Sequence, residues 1–111
     1  MRTYSIDQLR DADTKIFRER LTEAGLQGGI AGIFWLPVPD SLLTATQMEH
    51  KSECGPYYLA LDVDDEALHL ERLVRGMGRI TCQCVSCVSE ALRDHMIAYV
   101  EDSLRELDIP F

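Results

Sequence analysis

The stretch Tyr57–Val74, YYLALDVDDEALHLERLV, decides how the chain folds. Its first seven residues alternate, with Leu59, Leu61 and Val63 on one side and polar or smaller residues between them, which is the period of a strand with one buried face. Asp64-Asp65 supplies turn chemistry, and Ala67–Val74 then reads as the returning strand of a hairpin. The rival is a helix over Asp64–Arg75 ending at Gly76, which the Glu, Ala, Leu and Arg content favours by propensity. Of the two, the hairpin is preferred.

The element before the hairpin carries helix-boundary signals. In Leu42–Pro56, LLTATQMEHKSECGP, Thr44 and Gln47 have the spacing of a capping box, Gly55 stands at the C-terminal end and Pro56 stops continuation. A short middle helix follows, with His50 and Cys54 four residues apart on one face. Further upstream, Ile30–Leu36 is an apolar run closed by Pro37 and Pro39 and reads as a strand. Trp35, the single tryptophan, is expected to bury its ring for area rather than to stack on a ligand.

At the N-terminus, Tyr4–Gly25 reads as one helix. Ser5 and Gln8 form a second capping-box pattern, Ile6, Leu9, Ala12, Ile16, Phe17, Leu21 and Ala24 make an apolar stripe, and Gly25 is placed to end it in a left-handed cap. Beyond the hairpin, Gly76 and Gly78 punctuate, Arg79–Gln83 is expected to be extended, and Ser86 or Ser89 caps a long last helix. The stripe of that helix is Val88, Leu92, Met96, Tyr99, Val100, Leu104 and Leu107. The expectation is a single α+β domain over residues 1–111. In it a small, mainly antiparallel sheet of three to four strands is packed by an N-terminal helix, a short middle helix and a long C-terminal helix.

Composition narrows function. Eleven Lys and Arg against nineteen Asp and Glu give a formal charge of −8, which opposes phosphate-backbone binding and favours basic partners. Mimicry of a nucleic acid by this acidic surface is permitted by charge alone. No run reaches the roughly 18 apolar residues of a membrane span, and MRTYSIDQL holds no apolar signal core, so a cytoplasmic location is expected.

Three of the four cysteines lie within six residues, at Cys82, Cys84 and Cys87, directly ahead of the last helix, with Cys54 elsewhere. Three readings stay open. A zinc ion would take Cys54, Cys82, Cys84 and Cys87, with His50 as a substitute ligand, because closely spaced thiolates let one loop supply several tetrahedral ligands. Cys84-Val85-Ser86-Cys87 is also a C-x-x-C ahead of a helix N-terminus, where a thiol becomes more acidic and redox-capable. Lastly, reduced cysteines serve as small core residues. His50, His69 and His95 each lack the nucleophile context of a hydrolase. The sequence therefore favours a non-catalytic binding domain, with or without structural zinc, that meets a protein partner or a second copy of itself.

Overall fold

The structure is a computed structural model. It describes residues 3–71, 73–76, 86–87 and 89–111, and of Cys54, Ser86 and Cys87 the backbone alone. The elements are β1 (Thr3–Ile6), α1 (Asp11–Glu23), β2 (Ile33–Pro37), a 3-10 turn (Asp40–Leu42), α2 (Ala45–Glu49), α3 (Lys51–Cys54), β3 (Tyr57–Val63), β4 (Leu68–Glu71), β5 (Leu73–Gly76), β6 (Ser86–Cys87) and α4 (Glu90–Glu106). This is the expected α+β architecture.

The hairpin forms and the rival helix does not. Leu61 faces Leu70 and Val63 faces Leu68 across the β3–β4 turn. The turn is closed by the Asp64 carboxylate, which accepts from the Glu66 and Ala67 amides. Side-chain capping of two successive amides is what makes Asp a turn former. Pairing with the other edge of β3, β2 runs antiparallel from Ile33↔Asp62 to Pro37↔Tyr58. β5 continues along the edge that β4 occupies, with Tyr57↔Gly76 and Tyr58↔Arg75. β1 lies outside β4 and β6 outside β5. The six strand segments thus fill four antiparallel columns.

One face of this sheet is buried. Phe34, Leu36, Leu59, Leu61, Val63, Leu68, Leu70 and Val74 point into the core, where Phe17 and Leu21 of α1 and Leu92, Met96, Val100 and Leu104 of α4 meet them. The other face carries Ser5, Tyr58, Asp62, His69 and Arg75, with Trp35 lying over Gly28 so closely that a side chain there would meet its indole nitrogen. Burying each large aliphatic or aromatic side chain contributes roughly 1.5–3 kcal/mol. A sheet covered on one side is the usual solution for antiparallel strands.

The N-terminus departs from the expectation of one helix over Tyr4–Gly25. Thr3–Ile6 is a strand, with Ser5 opposite His69 and Ile6 opposite Leu68. Ser5 therefore caps no helix. Gln8 adopts φ 61° and turns the chain into α1, whose N-cap position is Arg10. The physical reason is distant pairing: β4 offers an unsatisfied edge, and Ile6 gains burial on it that a free helical end could not supply. The expected apolar stripe holds at Phe17 and Leu21 but not at Ile16. Thr14, Phe17 and Leu21 are the buried residues of α1, whereas Ile16 is 43% exposed.

The C-terminal end of α1 forms as expected. Gly25 has φ +78°, Gly25 N–H donates to Thr22 and Leu26 N–H to Leu21, the bond pair of a Schellman cap. The same pattern ends α4, where Asp108 takes φ 57° and the amides of Asp108 and Ile109 donate to Arg105 and Leu104, folding Ile109 into the core. The middle helix begins at its capping box, both halves of which are made. It is then interrupted at His50, with φ −98° and ψ 7°, and resumes as α3. Ser89 is the cap of α4, accepting from the Leu92 amide. Arg79–Gln83, with Cys82 and Cys84, lies outside the described residues.

Among the described residues no helix is long and apolar enough to cross a membrane. Truncating Phe17 to Ala is expected to cost about 3–5 kcal/mol in denaturant unfolding, whereas Ile16→Ala should stay within about 0.5 kcal/mol. Equal losses would return Ile16 to the buried stripe.

Candidate functional site

A cleft opens where the two long helices stop covering the sheet together. α1 ends at Glu23, and its Schellman cap turns the chain back so that Leu26 accepts from the Trp35 amide and Gly28 donates to Ile33. This return closes the outer edge of β2. Pro37 then ends β2, and the Val38 amide donates to Tyr57, so the strand bends away toward Pro39. α4 reaches across with His95, Met96 and Tyr99. The space left between these walls is a cavity of about 400 Å³, with Ala24, Leu26 and Leu36 completing its lining.

Its chemistry is apolar. Prolines provide no backbone donor, and the side chains of Leu26, Leu36 and Met96 offer none either. The polar side chains that reach it are the His95 imidazole and the Tyr99 phenol. Tyr99 is 38% exposed and stands at the surface, whereas Met96 is buried behind it. An apolar concavity with a few polar groups is the general form of a binding site.

The residues singled out by sequence are placed as follows. His50 joins α2 to α3, so the continuous helix that would have put it and Cys54 on one face is broken between them. The backbone of Cys54 ends α3, three residues before Tyr57, whose strand partner is Gly76. The backbone of Cys87 lies on β6 opposite Leu73. It lies two residues ahead of Ser89, the cap of α4. Cys82 and Cys84 lie outside the described residues. Among the described residues no three His, Cys, Asp or Glu side chains come together to hold a metal ion.

A further constellation escaped sequence reading. Ser5 Oγ lies 2.9 Å from His69 Nδ1, and His69 Nε2 is 3.5 Å from Asp64 Oδ2. The order Ser, His, Asp has the connectivity of a hydrolytic triad. Ser5 and His69 are a register pair on the solvent side of the sheet, and Asp64 accepts its turn amides at Oδ1 while Oδ2 faces His69. On such a face water screens each partner, and the contacts are those of a cross-strand pair.

Two groups have displaced acidities. Asp64 is held below its ordinary value of 3.8, chiefly by the Glu66 amide and further by the Ala67 amide and His69. Tyr4 is pushed up to about 12 by burial, and then by its hydrogen bond to the Glu101 carboxylate and the charge of that group. The bond ties β1 to α4.

Because folding lowers the Asp64 pKa, its stabilisation is present above pH 3.8 and is lost as pH falls through the folded value. Asp64→Asn keeps an acceptor for the turn but removes the charge. Wild type should therefore lose more stability than this variant between about pH 6 and about pH 3 in denaturant titrations; identical acid limbs would remove Asp64 from the pH response. No family model, curated protein or solved structure matches this chain.

Proposed function

We propose that the chain is a small acidic cytosolic domain that acts by binding another protein, without catalysing a reaction. The observation that supports this most directly is the apolar cleft between the end of α1, the end of β2 and the first half of α4. Its lining is mostly apolar and offers area and shape, which is how a recognition site works. The net charge of −8 turns such a surface toward basic partners and away from nucleic acid.

A structural zinc ion held by Cys54, Cys82, Cys84 and Cys87, with His50 as substitute ligand, belongs to the same proposal. What supports it is the clustering of thiols in sequence, together with the topology of their flanks. The chain leaves β5 at Gly76, beside Tyr57, and Tyr57 follows Cys54 by three residues. A metal there would tie the start of β3 to the segment that precedes α4. The rival is a metal-free interaction or homodimerisation module with reduced, buried thiols, and a second is redox use of Cys84 and Cys87.

Two measurements test this. A photo-crosslinking residue at Tyr99 should yield a discrete heavier protein adduct in cells, and the same residue at the exposed Lys15 should not; equal or absent adducts would overturn the cleft as the binding surface. Elemental analysis of untagged, chelator-free protein should find about one zinc per chain. Less than about a tenth, with unreactive thiols, leaves the metal-free module, and a fast-reacting pair lost on substituting Cys84 or Cys87 leaves the redox reading.

A further inference from the structure

We infer that Ser5 is a nucleophile that takes the acyl group of a neutral, activated ester, with His69 as the base that receives its proton and Asp64 orienting the imidazole. This goes beyond the binding reading and is independent of the cleft, since it places a site of covalent modification on the solvent side of the sheet.

Proton order argues first. Asp64 Oδ1 is taken by the Glu66 and Ala67 amides, while Oδ2 faces His69 Nε2 at 3.5 Å. A carboxylate only accepts, so the imidazole proton belongs on Nε2 and the lone pair on Nδ1. Ser5 Oγ lies 2.9 Å from that Nδ1 and donates its proton to it. A hydroxyl within reach of a base that a third group orients is the arrangement that activates a serine. Residues 64 positions apart in the chain come together here because Ser5 and His69 are register partners on β1 and β4.

Charge argues next. On the other side of His69, β3 sets Asp62 opposite it, so the ring has neutral Ser5 toward β1 and carboxylates toward β3 and the turn. Both carboxylates attract the positive charge that the ring carries while it holds the serine proton. They also repel a phosphate ester, which leaves a neutral carbonyl as the electrophile.

The step balances. Ser5 Oγ attacks the carbonyl carbon, the Oγ–C bond forms as the bond to the leaving oxygen breaks, and the proton passes from His69 to that oxygen, releasing an alcohol or phenol. Ser5 is exposed, so the ester reaches it without opening the fold. General base assistance contributes about 10²–10⁴-fold in enclosed sites, and on this open face about tenfold is expected.

The test treats the folded full chain with p-nitrophenyl acetate and follows acetylation by peptide mass spectrometry at Ser5 and, as internal control, at the exposed Ser41. Ser5 should react at least about tenfold faster than Ser41. Its rate should rise with pH and then reach a plateau, as histidine base assistance requires. His69→Gln should lower Ser5 to the rate of Ser41, and Asp64→Asn, which keeps the turn acceptor, should slow it about threefold or more. Should His69→Gln fail to fold by circular dichroism, His69→Ala takes its place. A Ser5 no faster than Ser41, a rate that climbs with pH without a plateau, or a rate indifferent to either substitution overturns the inference. Each of these results leaves the reading of the cleft standing, because none involves its walls.

Discussion

Strand β3 hydrogen-bonds along both edges, to β2 on one side and to β4 and β5 on the other, while Tyr57, Leu59, Leu61 and Val63 sink into the core beneath it. This double constraint organises the molecule. A one-residue slip of β3 would turn that apolar set to the solvent face and unseat three partner strands at once. The turn that follows it is held just as firmly. Besides the Asp64 carboxylate, the Leu9 amide donates to Glu66, the Thr14 hydroxyl donates to Asp65, and the Arg18 guanidinium donates to Asp64. The first half of α1 is thus docked onto the hairpin by backbone acceptors as well as by Phe17.

Covering the sheet on one side has a consequence for function. Both long helices must share the same face, and they differ in length, 13 residues for α1 against 17 for α4. Where α1 stops, α4 continues over the sheet, and among the described residues Leu26, Pro37 and Pro39 border the space beside it. The cleft is this difference in coverage, floored by Leu36 and Met96. Its apolar character follows directly, since residues that face a core become cleft walls where the second helix is missing.

Much of the architecture was legible in local chemistry. The alternation from Leu59 to Val63, the capping box at Thr44 and Gln47, Gly25 in its left-handed cap and the stripe from Leu92 to Leu104 each contain their own reason within a few residues. The N-terminus shows the limit of such reading. Ser5 and Gln8 have capping-box spacing, yet β1 forms because Tyr4 and Ile6 find partners on β4 more than sixty residues later, and Gln8 accepts a left-handed conformation to allow it. The candidate site was less legible. Attention fell on the cysteines because their clustering is visible in one dimension, whereas Ala24, Leu36 and Tyr99 carry no motif and meet through tertiary packing alone.

Sequence by itself determined the class of fold, the hairpin at its centre, the helix end at Gly25, a serine cap at residue 86 or 89 for the last helix, and the acidic charge, because periodicity, capping and net charge are properties of neighbouring residues or of plain sums. Tertiary structure decided the rest. It turned Thr3–Ile6 into a strand, replaced Ile16 by Thr14 beside Phe17 and Leu21 on the buried face of α1, broke the middle helix at His50, and opened a cleft from three separate segments. These outcomes depend on which edges and faces remain unsatisfied after β3 has paired, and that is a property of the folded whole.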